Sequence, residues 1–336
     1  MAEENSLRDE PPLFGEELPQ LLIIRPSNLF RAHEDGFSAR FNVLRAYESP
    51  LPTETFLREH AQSAKAVLCF AGSPITAELL LHLPSLGLVV TSGTGVNHID
   101  TAACRRREIL VANTSDVFSE DTADYAVGLF IDVMRKISGG DRFLRRGFWP
   151  LCPDQFPLGF KVASKRVGII GLGNIGSKVA KRLQAMGCKI SYNSRAKKAS
   201  IPYNFFPTPH QLASQSDILV ICCPLTEDMR HMIDDDVMTA LGETGIIVNV
   251  GRGAIVDEKA LVKHLAARTI AGAALDVFEN EPRVPTELLG LDNVVLSPHR
   301  GAYTAEAFSD AFRIVTGNLE AFFSNKTLIS PVSTGE

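Results

Sequence analysis

From about residue 20 almost to the end of the chain, short apolar, β-branched runs alternate with stretches of helical spacing. The runs LLIIRP, FNVLRAY, AKAVLCF, LGLVVTS and ILVANTS form a first set of predicted strands, ending near Ser115. A second set begins with RVGIIGLG and continues through CKISYNS, DILVICCP, GIIVNVG, AGAALDV and NVVLSPH. Repeated strand-then-helix order predicts α/β architecture: parallel sheets covered by helices on both faces, here in two units. Between the sets, Ala126, Phe130, Val133, Met134 and Ile137 recur at helical spacing and predict a long connecting helix. Ser119 is its expected N-cap, and the pair Gly139 and Gly140 its expected interruption. The last segment, AYTAEAFSDAFRIVTGNLEAFFSNKTL, has the same periodicity and is expected to return to the first unit. That makes the first domain discontinuous, over residues 20–115 and 300–336, with the second over 116–299. No repeat of solenoid length and no low-complexity segment interrupts the pattern.

Composition narrows the class. A chain of 336 residues is long enough for two domains, and 45% hydrophobic with 22% charged residues describes a globular protein rather than a disordered or membrane one. The net charge of −5 and the scattered basic residues give no phosphate-backbone stripe, so nucleic acid is not expected as a partner. Residues 1–19 are acidic, lack the apolar core of a signal peptide and the Arg-rich pattern of a transit peptide, and read as a flexible tail. No apolar run is long enough to span a membrane, and the final STGE is not a peroxisomal address. Six cysteines without a CxxC pair or repeating spacing imply neither a disulfide framework nor a metal site. The expected compartment is the reducing cytoplasm.

The stretch VGIIGLGNIGSKVAKRLQAMG narrows the chemistry. Gly171, Gly173 and Gly176 form G-x-G-x-x-G directly after an apolar strand, and Ile175, Val179, Leu183 and Met186 then make one helical face that Gly187 can close. The first glycine permits a tight turn, the second lets the backbone approach a pyrophosphate, and the third lets helix and strand pack closely. Unpaired N–H groups at the helix start would face the phosphates. A dinucleotide is the expected ligand. In such folds an acid at the end of the second strand binds the adenosine ribose of NAD. Here that position is Ser194, 18 residues after Gly176, and Arg195 follows it. An acid at 194 would repel the 2′-phosphate of NADP by about 4 kcal/mol at ~4 Å and an effective dielectric near 20. That is roughly a thousandfold in affinity. Serine removes the repulsion and arginine offers a bidentate fork, so NADP, with NADPH preferred over NADH, is the expected cofactor. Lys197 and Lys198 either add positive field or form an ordinary solvated turn.

Ligands of open α/β sheets lie beyond the carboxyl ends of the strands. The ionisable residues after the second set of strands are Arg252, Asp276, Glu281 and His299. A cation, carboxylates and an imidazole suit hydride transfer to a carbonyl: histidine supplies the proton as charge grows on oxygen, a carboxylate orients the ring, and arginine clamps a substrate carboxylate. Taken singly, Arg252 could form a surface ion pair, Glu281 a loop residue before Pro282, and His299 a buried ring satisfied by backbone. Each following its own strand in one sheet, they point to catalysis.

GLGNIGSKVAKRLQAMG, CCPLT, NVGRGAIVDEKALVKHL, GAALDVFENEP and LSPH, in this order, resemble the D-isomer-specific 2-hydroxyacid dehydrogenases, particularly plant glyoxylate/hydroxypyruvate reductases and hydroxyphenylpyruvate reductases. The resemblance covers about residues 65 to 332. It implies two doubly wound parallel-sheet domains, a Rossmann-type coenzyme domain inserted into a flavodoxin-like substrate domain, and a homodimer formed through the coenzyme domains. It carries the catalytic roles onto Arg252, Glu281 and His299, and a contact to the nicotinamide carboxamide onto Asp276. Pro224 and Thr226 would line the cofactor, and the same motifs make Asn174, Ile175, Cys223, Val250 and Gly301 candidate cofactor contacts, beside Arg252 and His299 themselves. Gly72, Thr94 and Gly95 fall on loops that would bind the substrate, and Trp149 on a segment that would reach a partner's active site. From sequence, Trp149 reads equally as a core or interface aromatic. Two departures stand out: RGAYT after His299 places Arg300 and Tyr303 beside the site, and Asp124 replaces a more usual glutamate.

The leading expectation is NADPH-dependent reduction of small 2-oxo acids, hydroxypyruvate and glyoxylate first. Aromatic 2-oxo acids such as hydroxyphenylpyruvate are the alternative, and Phe14, Phe70, Trp149 and Tyr303 do not decide between them. A dinucleotide-sensing binding protein, like the C-terminal-binding corepressors that resemble the same family, is the alternative of another class.

Overall fold

The structure, a computed structural model, describes residues 18–333. The expected acidic tail lies outside the described residues except for its last two positions, and so does Phe14. The chain divides into two compact units, one formed by Met1–Phe118 with Thr304–Glu336 and the other by Ser119–Tyr303.

In the first unit, β1 (Gln20–Ile23), β2 (Asn42–Arg45), β3 (Ala66–Cys69), β4 (Leu88–Thr91) and β5 (Leu110–Ala112) form a parallel sheet in the order β2-β1-β3-β4-β5. Successive side chains of a strand point to opposite faces, so an unbroken apolar run fills two cores at once. Leu22, Val67, Cys69 and Val89 enter one core, and Leu21, Ile23, Leu68, Leu88 and Val90 the other. The helix Ala305–Phe323, capped by the Thr304 hydroxyl on the Ala307 N–H, brings Ala311, Phe312, Val315 and Leu319 into the second of these cores. The C-terminal segment thus belongs to the unit built from the N-terminal strands.

In the second unit, β6 (Arg166–Ile170), β7 (Lys189–Asn193), β8 (Asn204–Phe205), β9 (Ile218–Ile221), β10 (Ile246–Asn249), β11 (Gly272–Leu275) and β12 (Val294–Leu296) form a parallel sheet ordered β12-β11-β10-β9-β6-β7-β8. Its two faces are again both buried: Val167, Ile169, Ile218, Val220 and Val248 line one core, Ile170, Leu219, Ile221 and Ile247 the other. Strand order reverses between β6 and β9, the place where doubly wound sheets open a crevice. β8, only two residues long, carries too little apolar pattern to be read from sequence.

The connecting helix differs from expectation. Ser119 is its first helical residue, and the helix runs to Arg135. The break falls at Lys136, in the left-handed region at φ 56°, and not at Gly139 and Gly140, which lie within the next helix, Ile137–Arg145, against the Phe156 ring. The helix Ser119–Arg135 is tied to Asn174–Ala185 by ion pairs of Glu120 with Lys178 and Arg182 and of Asp124 with Arg182. The units divide a few residues after the boundaries the pattern predicts. Val117 and Phe118 pack into a core of the first unit, while Asp276 of the second holds Arg300 and Gly301 by hydrogen bonds. Among the described residues no helix is long and apolar enough to cross a membrane.

Close approach of strand and helix is strictest at Gly176, where a Cβ would stand 2.1 Å from the Gly171 carbonyl oxygen. Because backbone would have to move, Gly176→Ala is expected to cost about 3 kcal/mol of unfolding free energy, the upper end for overpacking. Urea denaturation measures it; a loss within ~0.5 kcal/mol would mean the helix has room to shift.

Candidate active site

The carboxyl edge of the seven-stranded sheet is assembled by loops that each bond to the neighbouring strand. Gly171 N–H donates to Asn193 O (2.9 Å), Cys222 N–H to Ile170 O (2.9 Å), Val250 N–H to Ile221 O (3.2 Å), Asp276 N–H to Asn249 O (3.0 Å) and Ser297 N–H to Leu275 O (2.9 Å). The glycine loop, the Cys223–Thr226 segment and the Arg252, Asp276 and His299 loops therefore share one edge.

At the crevice, Gly171 sits at φ 89° with Cys223 where its Cβ would be, while a Cβ on Gly173 would meet nothing within 4 Å. That open space is what a phosphate needs to reach the backbone. The helical ladder of Asn174–Ala185 starts with Ser177 N–H donating to Gly173 O, so the amides of Asn174, Ile175 and Gly176 precede it. The loop fits a dinucleotide pyrophosphate. At the end of β7 the Ser194 hydroxyl donates to Ala196 O (2.7 Å), closing a turn on which Arg195 and Lys197 are exposed. Among the described residues Arg195 has no hydrogen-bond or ion-pair partner.

The ionisable set converges further along the edge. Glu281 Oε2 lies 2.7 Å from His299 Nδ1, and Glu281 Oε1 accepts the Phe278 N–H at 3.0 Å. A carboxylate there requires the proton on Nδ1, which leaves Nε2 to accept or release a proton. Burial raises the Glu281 pKa, but His299, the Phe278 amide and Arg252 together outweigh it and hold the carboxyl below its ordinary range. Burial lowers the Arg252 guanidinium from the usual arginine range, opposed by the charge of Glu281. Arg252 Nη1 donates to Gly251 O at 2.6 Å, and among the described residues no carboxylate forms an ion pair with the guanidinium, which makes it a natural seat for an anionic ligand.

Two supports escape a reading of the sequence. Asn249, 1% exposed, accepts the Gly251 N–H (3.0 Å) and donates to Arg252 O (3.0 Å), holding the arginine loop from beneath. Gly253 lets that loop press on the next one: a Cβ would lie 1.9 Å from the Phe278 carbonyl carbon. The second support is Asp276, 2% exposed. Its Oδ1 accepts from Ser297 Oγ (2.7 Å) and Arg300 N–H (2.7 Å), its Oδ2 from Gly301 N–H (2.9 Å), and its carbonyl from His299 N–H (2.8 Å). Tyr125 OH, from the helix Ser119–Arg135, lies 2.5 Å from Ser297 Oγ. Asp276 thereby shapes the turn that carries His299. Only the polar character of Ser297 and Tyr125 could have signalled this, and polar residues are common at such positions.

The remaining candidates lie elsewhere. Gly72, Thr94 and Gly95 follow β3 and β4, adjacent strands of the five-stranded sheet. Thr94 Oγ1 donates to Ser115 O (2.9 Å) and its carbonyl accepts from Asn113 Nδ2 (2.8 Å), fixing that loop. Trp149, 59% exposed, lies in the turn after the helix Ile137–Arg145. Arg300 stacks on the Tyr303 ring, its guanidinium carbon 4.0 Å from the centroid.

A doubly wound sheet with this glycine loop and an Arg, Glu and His set at its edge defines a class, and comparison with known proteins agrees. The family model described as D-isomer specific 2-hydroxyacid dehydrogenase, NAD binding domain, matches residues 127–301. The chain belongs to the D-isomer-specific 2-hydroxyacid dehydrogenase family. It is 48% identical, over 94% of its length and 98% of the other chain, to a glyoxylate/hydroxypyruvate reductase of Arabidopsis thaliana. It is 44% identical to the hydroxyphenylpyruvate reductase of Plectranthus scutellarioides, over 89% of this chain and 95% of that one. Among solved structures, the NADPH-dependent glyoxylate/hydroxypyruvate reductase of Sinorhizobium meliloti in complex with NADP and malonate superposes with a TM-score of 0.87 at 33% identity, covering 94% of this chain and 97% of that one.

Ser297→Ala removes one donor from the buried Asp276 carboxylate and the partner of Tyr125 OH. A stability loss of about 1–3 kcal/mol is expected, measured by denaturant unfolding. A neutral substitution would show that the turn holds without this link.

Proposed function

We propose that the protein is an NADPH-dependent reductase of small 2-oxo acids, with hydroxypyruvate and glyoxylate as substrates, acting as a homodimer in the cytoplasm. The observation that carries this reading is the Glu281–His299 pair at 2.7 Å, with Arg252 close enough for its charge to act on Glu281, on the sheet edge that also bears the glycine loop. When bound, the nicotinamide supplies a hydride to the carbonyl carbon. His299 donates a proton from Nε2 to the carbonyl oxygen as negative charge grows there, and recovers it from solvent. Glu281 orients the ring through Nδ1. Arg252 clamps the substrate carboxylate and aligns the carbonyl, a role suited to a guanidinium that forms no ion pair among the described residues. The backbone of Gly72, Thr94 and Gly95 is the further candidate for substrate binding. Asp276, besides holding the His299 turn, retains acceptor capacity on Oδ2 for the carboxamide.

The NADPH preference rests on Ser194 and Arg195 where an NAD enzyme would carry an acid, and is supported by the NADPH dependence of the bacterial relative. Similarity to a hydroxyphenylpyruvate reductase makes an aromatic 2-oxo acid the second reading. The test is steady-state oxidation of NADPH and NADH against glyoxylate, hydroxypyruvate, pyruvate and hydroxyphenylpyruvate. In the same assay His299→Ala is expected to lower kcat by about 10²–10⁴-fold with NADPH affinity unchanged. Tight cofactor binding without turnover of any of the four would favour a dinucleotide-sensing role instead.

Glu281 also sets a pH dependence. Its folded pKa is depressed, so the stabilisation it contributes is present above the ordinary carboxylate value and is lost only as pH falls through the depressed one. Glu281→Gln replaces the carboxylate that accepts from His299 Nδ1 by a neutral amide of the same shape. It is expected to lower kcat by roughly tenfold or more with NADPH affinity unchanged, measured by steady-state reduction and nucleotide titration. An unchanged kcat would contradict the orienting role.

A further inference from the structure

The two lysines after β7 are equivalent in sequence but not in structure. Both are exposed, but Lys197 makes no hydrogen bond or ion pair among the described residues. Lys198 is held at both ends: its N–H donates to Tyr192 OH at 2.8 Å, and its Nζ donates to Leu172 O at 2.5 Å. Tyr192 is fully buried on β7, its ring 5.5 Å from that of Phe205, so it is a rigid post for the Lys198 backbone. Leu172 lies between Gly171 and Gly173. The Lys198 side chain therefore spans from the turn at the end of β7 to the glycine loop, with its ammonium beside Leu172 O.

We propose that Lys198, placed by Tyr192, determines cofactor specificity by binding the adenosine 2′-phosphate together with Arg195, and that Lys197 does not. This rests on the NADPH reading above. Three points carry it. The single hydrogen of Ser194 Oγ is committed to Ala196 O, so the side-chain donors this turn offers a phosphate are the cationic ones. A phosphate monoester carries nearly two negative charges at neutral pH, which two cations match. The Lys198 ammonium spends one of its three N–H groups on a neutral carbonyl, which leaves two for an anion. NADH offers only a hydroxyl there and gains little from the lysine.

The experiment measures dissociation constants of the full-length protein for NADPH and NADH by nucleotide fluorescence titration, for wild type, Lys198→Met, Lys197→Met and Tyr192→Phe. Lys198→Met is expected to weaken NADPH by about ten- to a hundredfold, the range for hydrogen bonds to charged groups, and to leave NADH nearly unchanged. Tyr192→Phe should weaken NADPH in the same sense by a smaller factor, and Lys197→Met should change neither. If Tyr192→Phe does not fold, Lys198→Met decides alone. Equal losses for both cofactors would assign Lys198 to the glycine loop and overturn the proposal, as would a preference lost in Lys197→Met but kept in Lys198→Met. A wild type that binds both cofactors equally would overturn the NADPH reading itself; a preference that survives Lys198→Met would overturn only this assignment.

Discussion

A buried carboxylate must be supplied with hydrogen-bond donors, and Asp276 draws its own from the segment that carries the histidine. Ser297 Oγ and the N–H groups of Arg300 and Gly301 converge on its two oxygens, while its carbonyl takes the His299 N–H. Four bonds to one residue leave the chain from 297 to 301 a single path. That path puts His299 at φ 55°, a conformation that costs a non-glycine residue about 1–3 kcal/mol. The surrounding bonds offset the strain, and the imidazole is delivered to Glu281.

The same economy of position runs along the sheet edge. Each loop takes its first bond from the strand beside it, so an error in one would propagate to the next. Glycines stand where backbones nearly touch: Gly171 against Cys223, Gly176 against Gly171, Gly253 against Phe278. Proton and hydride transfer tolerate misplacement poorly, and a parallel sheet with interlocked loops is a rigid way to hold several side chains from distant parts of the chain.

Charge in the site is arranged to be incomplete. Glu281 is hydrogen-bonded to His299 and the Phe278 amide and forms no ion pair with Arg252 among the described residues, although the two charges act on each other. Arg252 is thus left for an anion from outside, the charge that every 2-oxo acid brings. At the other end of the crevice Arg195 has no hydrogen-bond or ion-pair partner among the described residues, so each end of the proposed ligand set carries a cation that forms no ion pair among them.

Much of this was legible in the linear chain. Apolar runs bounded by turns announced eleven strands, because a strand buried on both faces leaves an uninterrupted local signal. The glycine loop was legible because close contacts at Gly171 and Gly176 leave no room for a side chain, and Arg252 and His299 because each stands just beyond its strand, with Glu281 further along the loop that follows β11. The two-residue β8 and the helix break at Lys136 were not, since the first carries almost no pattern and the second is a backbone choice that no residue type dictates. Nor could sequence tell Lys198 from Lys197, or single out Asn249, Ser297 and Tyr125. Tyr125 and Ser297 are 172 positions apart and meet only when the helix packs on the sheet. Local chemistry is written in residue type and spacing; which polar groups satisfy one another in the interior is decided by the fold that brings them within hydrogen-bond reach.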